Sequence, residues 1–254
     1  KMKKYIKLQS KEIIKYNICL LYMNLIEGDI HKVIKTLPSN TYDLLYTDPP
    51  FNSLTGAKWD NKLKWDELWY DIWRVLKPNG VVILHSTQRF TIQLASSQIK
   101  HFKYKYIWKK NNSTNFLVAK YQPLRSCEDI CVFYKKRGIY NPQMIGDTFY
   151  KKRNVKYGGM NEYWGKCNQD KNIITDEGGH YGKYPDDLLE FKIDKSKSKV
   201  KDAGTRPIEL IDYILKTYSN ENNNVLDITC YDARTGVRCL KMNRSYTGID
   251  LNIV

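Results

Sequence analysis

Acidic residues are scarce in this chain: 27 Asp and Glu stand against 42 Lys and Arg, leaving a formal charge of +15. A chain so short of carboxylates favours a polyanionic partner, with nucleic acid the default. A generally Lys-rich composition is the other source of such an excess, since Asn, Ile and Tyr are abundant too. The 6 cysteines form no C-x-x-C pair and have no His at zinc spacing, so neither a metal site nor a disulfide framework is expected. They read instead as free thiols in a reducing compartment, mostly small core hydrophobes. No apolar run is long enough to span a bilayer and no signal peptide is visible, so the expectation is a soluble, non-secreted protein without a membrane partner. The 254 residues suffice for one large domain, or a domain with an insert, around a proper core.

What the chain does contain is a short apolar run, Tyr42-Asp43-Leu44-Leu45-Tyr46-Thr47, closed by Asp48-Pro49-Pro50-Phe51. The run reads as a buried strand ended by its two prolines. A carboxylate at a strand end, two rigid residues and an aromatic ring together make a device for gripping a flat, amine-bearing ring. Asp48 and a proline carbonyl can both accept hydrogen bonds from an exocyclic amine, and neither proline has an N–H to compete. Phe51 offers a stacking face. The device suits a nucleobase taken out of its stack.

Around this run, strand and helix patterns alternate. Helical spacing covers 29–37, 65–76, 90–99, 207–218 and the neighbourhood of 237–242. Strand-like runs cover 81–84, 104–108, 130–134, 225–228 and 246–250, and Lys77-Pro78-Asn79-Gly80 reads as a turn. The fold class is therefore α/β, a mostly parallel, doubly wound sheet covered on both faces. In such sheets ligands bind beyond the carboxyl ends of the strands, and Asp48, Asp227 and Asp250 each lie at or just before such an end. Residues 1–17 read as a basic N-terminal arm. Periodicity fades over 135–201, where Gly and Tyr multiply, and this stretch reads as an insert between the halves 18–134 and 202–254.

The order of these pieces resembles the permuted, beta-class amino-methyltransferases of DNA, phage-type adenine methylases among them. The likeness runs through Gly28-Asp29, Tyr42 to Phe51, Val75 to Gly80, Phe116 to Arg125 and Val132 to Lys135. It continues through Tyr140 to Met144, Lys183-Tyr184-Pro185, Pro207 to Tyr218 and Val225 to Asn252. It implies a Rossmann-like methyltransferase fold with a target-recognition insert at 135–201. S-adenosylmethionine would be the cofactor, DNA the partner, and the location the cytoplasm or nucleus, wherever the DNA is. A homologous subunit, in a homo- or heterodimer, is a further implied partner. By the same likeness Asp48, Pro49, Pro50 and Phe51 are the catalytic residues, and an initial Asp rather than Ser is the family's sign of adenine-N6 chemistry. The cofactor residues implied are Asp29 for the adenine, Asp250 for the ribose, and Asp227, Thr229, Thr235, Gly236, Thr205 and Arg206 towards the methionine end. No metal is implied.

Two segments depart from the family's pattern. Tyr231 and Ala233 stand where the family has glycines, so side-chain atoms are expected in space needed for close approach to the cofactor, with strain if either needs positive φ. Asp232 adds a carboxylate near the cofactor's own unless Arg234 offsets it. Asp202-Ala203-Gly204-Thr205-Arg206-Pro207 keeps only Pro207 and one basic residue of a His-Pro-Thr-Gln-Lys-Pro-like segment. Two functions thus stay open: an adenine methylase of DNA, and a catalytically silent relative that has lost the cofactor and binds DNA or supports an active partner. Methylation of RNA is a third and weaker reading. The plain structural readings are a Pro-terminated strand for Asp48, a helix N-cap for Asp29, a loop cap for Asp227 and a polar strand end for Asp250.

Overall fold

The computed structural model describes residues 22–51, 63–151, 179–193 and 206–253. The arm 1–17, the run Lys195–Lys201 and Thr205 lie outside these. The chain divides into two compact units, one formed by 1–141 with 187–254 and the other by 142–186.

The first unit is built on one sheet of eight strands. In chain order its elements are β1 (Met23–Glu27), α1 (Ile30–Thr36), β2 (Tyr42–Thr47), α2 (Trp65–Val75), β3 (Leu76–Ser86), α3 (Gln88–Ser97), β4 (Phe102–Thr114) and β5 (Arg125–Tyr134). The second unit holds β6 (Ile145–Lys151) paired antiparallel with β7 (Gly179–Lys183). The chain of the first unit resumes with β8 (Leu188–Glu190), α4 (Ile208–Tyr218), β9 (Asn224–Asp227), α5 (Arg234–Lys241) and β10 (Ser245–Asp250).

The strand order is β1-β10-β9-β2-β3-β5-β4-β8. Strands β1, β10, β9, β2 and β3 run parallel, whereas β5 is antiparallel to both β3 and β4. Burial on both faces explains the near-continuous apolar composition of β2. Leu45 packs with α1, α2 and α3 in one core cluster. Leu44 and Tyr46 pack with α4 and α5 in the other. The direction in which strands are added reverses between the parallel pair β2 and β9: one leads through α2 to β3 on one side, the other through α5 to β10 on the opposite side. This is the topological switch point at which ligands enter such sheets, and Asp48 and Asp227 end its two strands.

The turn read at Lys77–Gly80 is corrected. These residues lie inside β3, where the ladder passes from Tyr42↔Leu76 to Leu44↔Val81. They bulge without ending the strand, because the pairing resumes on the far side and Lys77 Nζ is held 2.7 Å from Asp43 Oδ1. Strands β1, β6, β7 and β8 add to those read from periodicity. No helix among the described residues is long and apolar enough to cross a membrane.

Candidate active site

The switch point is sewn together by hydroxyls. Thr47 Oγ1 donates to Asp227 Oδ1 at 2.6 Å and lies 2.6 Å from Thr229 Oγ1. Thr229 Oγ1 donates to the Asp48 carbonyl at 3.1 Å. Asp227 also accepts the Thr229 N–H at 3.2 Å and the Tyr246 hydroxyl at 3.0 Å. Its carboxyl is buried, and burial pushes it up to about 7 against the pull of these donors. Asp227 is thus both the loop cap of the plain reading and a partner of Thr47 at the end of β2.

Asp48 faces a chain of charges that runs across three elements. Arg206 Nη2, just ahead of α4, lies 2.6 Å from Asp48 Oδ1 and 2.9 Å from Glu128 Oε2 of β5. Glu128 Oε1 in turn accepts from Lys110 Nζ of β4 at 2.8 Å. The Arg206 guanidinium sits 5.4 Å from the centre of the Trp108 ring, within cation–π range. Burial pushes the Asp48 carboxyl up to about 6; Arg206 opposes this and Glu128 adds to it. Burial also works against the charge on Arg206, but the two carboxylates outweigh it and the group stays cationic. Beneath this layer Tyr46 Oη and His85 Nε2 share a 3.0 Å hydrogen bond. Burial, followed by the Arg206 charge, holds His85 well below its ordinary value, so the imidazole is neutral.

Beyond Asp48, Pro49 is buried and Phe51 packs on Phe90 of α3, with ring centres 5.5 Å apart. Phe90 meets Trp65 at 6.0 Å, so an aromatic wall flanks the strand end.

The loop after Asp227 contains the residues that depart from the expected glycines. Tyr231 and Ala233 both take left-handed backbone, with φ of 44° and 52°. Two non-glycine residues thus hold left-handed backbone, at a cost of about 1–2 kcal/mol each. The Ala233 methyl belongs to the core cluster against α4 and α5 and is 4% exposed. Tyr231 is 43% exposed. Its N–H donates to Asp250 Oδ2 at 2.9 Å, and Asp250 Oδ1 accepts the Asn252 N–H at 3.1 Å. Arg234 clasps Asp232 through Nε, 3.2 and 3.0 Å from its two oxygens, which offsets the stray carboxylate.

Asp29 caps α1, its Oδ1 accepting the His31 N–H at 2.9 Å. It stands beside Asp250, whose carbonyl accepts the Gly28 N–H at 2.8 Å. Gly236 is buried in α5, and a Cβ there would lie 2.6 Å from two ring carbons of Tyr246, so this glycine sets the approach of α5 to β10. Thr235 is half-buried in the first turn of the same helix. The structure thus gathers Asp48, Asp227, Thr229, Asp250 and Asp29 along one edge of the sheet. Arg206 is engaged on Asp48 and Glu128. Among the described residues no group of three or more His, Cys, Asp or Glu could hold a metal ion.

Sequence reasoning missed Thr47, Glu128, Lys110 and Tyr246. Glu128 and Lys110 come onto adjacent strands only once 102–114 is paired with 125–134, among other charges such as Lys105, Lys109 and Asp129.

A doubly wound sheet with carboxylates lined along the carboxyl ends of its central strands is the architecture of a Rossmann-like methyltransferase. Residues 42–253 match the N6_N4_Mtase DNA methylase family, and the chain belongs to that family. Solved structures similar in fold include the M1.HpyAVI–SAM complex (20% identity, 91% of this chain and 93% of that one, TM-score 0.57). The cytosine-N4-specific PvuII DNA methyltransferase aligns over 91% of this chain and 82% of its own, with 13% identity and TM-score 0.62. A putative DNA modification methylase from Thermus thermophilus, TTHA0409, complexed with S-adenosyl-L-methionine, aligns over 90% and 89% (18% identity, TM-score 0.53). A sequence search of curated proteins returned no match.

Proposed function

We propose that the chain is an active S-adenosylmethionine-dependent methyltransferase that modifies the N6 amine of adenine in DNA, of the permuted beta class. The observation that carries this reading is Asp48 itself. Its carboxylate stands at the switch point, 34% exposed on the side chain, beside a proline carbonyl and the Phe51 ring. Asp rather than Ser at this position favours adenine over cytosine by resemblance to the family.

The residues present fit the cofactor. The reading is supported by left-handed backbone at Tyr231 and Ala233, the positions where the family by resemblance has glycines, by the Ala233 methyl packing in the core and by Arg234 pairing with Asp232. Asp250 and Asp29 would hold the adenosine end, and Asp227, Thr229 and Thr235 would shape the wall towards the methionine end. Gly236 lets α5 close on that wall. When bound, the cofactor supplies an electrophilic sulfonium methyl.

The chain's own residues supply position and charge. One oxygen of Asp48 and the Pro49 carbonyl accept the two amine hydrogens, which localises the nitrogen lone pair and fixes its direction. Phe51, braced by Phe90, stacks on a base extruded from the duplex. With a carboxyl near 6, Asp48 is ionised at neutral pH and can still take up the proton that the amine must lose. The segment 135–201 reads the target sequence through its Lys, Arg and Tyr side chains.

The test is a calorimetric titration of the full chain with S-adenosylmethionine, with and without adenine-containing duplex DNA. Micromolar binding is expected. Absence of binding under both conditions overturns the reading and leaves a silent subunit.

A further inference from the structure

Glu128 and Lys110 lie outside the tetrapeptide and outside the cofactor loop, yet they complete the charge chain that ends on Asp48. Its members alternate in sign: Lys110, Glu128, Arg206, Asp48. The side chains of Lys110, Glu128 and Arg206 are 5%, 12% and 10% exposed, against 34% for Asp48. Charges so far from water persist only when each is met by an opposite charge at short range, and each step here is 2.9 Å or less. One nitrogen, Nη2 of Arg206, touches both carboxylates. It donates a hydrogen bond to Asp48 Oδ1 and stands at ion-pair distance from Glu128 Oε2, while the guanidinium lies 5.4 Å from the centre of the Trp108 ring. Held in this way, Arg206 occupies a single oxygen of Asp48 and leaves Oδ2 for another donor.

We propose that Glu128, braced by Lys110, is a positioning residue that sets Arg206, and that Arg206 orients the Asp48 carboxylate so that its second oxygen receives the target amine. The role of the amine rests on the methyltransferase reading above; the control of Asp48 by Arg206 and Glu128 does not. Other groups around Asp48 are arranged consistently with this. Asp227 on β9 is bound by three donors of its own. His85 on β3 is neutral and bonded to Tyr46 on β2. Among the described residues Arg206 and Glu128 are the charged groups that act most directly on Asp48, with opposite sign, while Asp227 and Asp48 repel each other when both are ionised.

That opposition makes the test specific. In the full chain carrying ¹³Cγ-labelled aspartate, with Asp48→Asn assigning the resonance, the titration of Asp48 is followed directly by NMR. Arg206→Gln removes the cation and leaves two carboxylates facing each other, so the midpoint should move up by about one pH unit or more. Glu128→Gln removes the like charge, so the midpoint should move down. Arg206→Lys restores a cation and should return it towards the wild-type value. Where wild-type methyl transfer is measurable, the acid limb of kcat should follow each midpoint in the same direction. A merely structural role predicts that both charge removals loosen the site, admit water and lower the midpoint alike. That result, or three midpoints unchanged from wild type, overturns the proposal. Should Arg206→Gln fail to fold by circular dichroism, Arg206→Lys and Glu128→Gln still decide it: a fall with Glu128→Gln and a midpoint near wild type with Arg206→Lys support it. A wild-type chain that transfers no methyl while the midpoints move as described would refute the proposed function and leave this inference standing.

Discussion

Replacing Asp227 by Asn probes the balance that holds the switch point together. Three donors favour the ionised carboxylate, whereas burial favours the protonated form, and burial prevails: the group sits at about 7 against an ordinary 3.8. A folded state that binds a proton more tightly than the unfolded chain loses stability as pH rises between those two values. The difference of roughly 3 pH units corresponds to about 4 kcal/mol, at about 1.4 kcal/mol per unit. This cost is absent below about pH 4 and fully present above about pH 7. Asn has the same shape. Its Oδ1 can accept from Thr47 and Thr229, and its Nδ2 can donate to the Tyr246 hydroxyl, so few groups are left unpaired. Asp48 titrates in the same sense in both proteins and largely cancels. Urea unfolding of wild type and Asp227→Asn at pH 4 to 8 should therefore show the variant gaining steadily on the wild type, by up to a few kcal/mol at pH 8. Parallel curves, or a wild type that gains on the variant with rising pH, would mean that the three donors outweigh burial and would refute the reasoning.

Two further outcomes test the packing and the partner. Gly236→Ala places a methyl 2.6 Å from the Tyr246 ring, and overpacking of this kind should cost about 1–3 kcal/mol in a denaturant melt; an unchanged midpoint would show that α5 is not in close contact with β10. Binding to duplex DNA should weaken steeply between low and physiological salt, since each phosphate neutralised contributes about −0.9 to the log–log slope, and a flat response would refute the inference from net charge.

The parts of the fold that could be read from the sequence are those whose pattern is fixed by burial. Tyr42–Thr47 is apolar almost throughout because both of its faces are covered, and α2 and α4 show a clean apolar stripe over Leu68, Ile72 and Val75 and over Leu210, Ile211 and Ile214. Edges and exposed strands carry no such pattern. Met23–Glu27 is only half-buried at the sheet margin, and β6 is exposed along its length, so neither produces a periodicity to read. Asp48 was legible because a carboxylate followed by two prolines has few purposes at a strand end. Glu128 and Lys110 were not, because a charge pair across strands gains meaning only once the register is known. At Ala233 the sequence raised strain only on condition of positive φ, and the structure supplies that condition with a φ of 52°. The sequence could not indicate which way the methyl would point, because that direction is set by packing against α4 and α5.

The central claim is that Asp48 directs methyl transfer to the adenine amine. The most direct test incubates the chain with DNA and methyl-labelled S-adenosylmethionine, digests the DNA to nucleosides and identifies the labelled one. The account predicts label in N6-methyladenine for the wild type and none for Asp48→Ala, with DNA binding retained by the variant. Label in N4-methylcytosine, or undiminished transfer by Asp48→Ala, would contradict it.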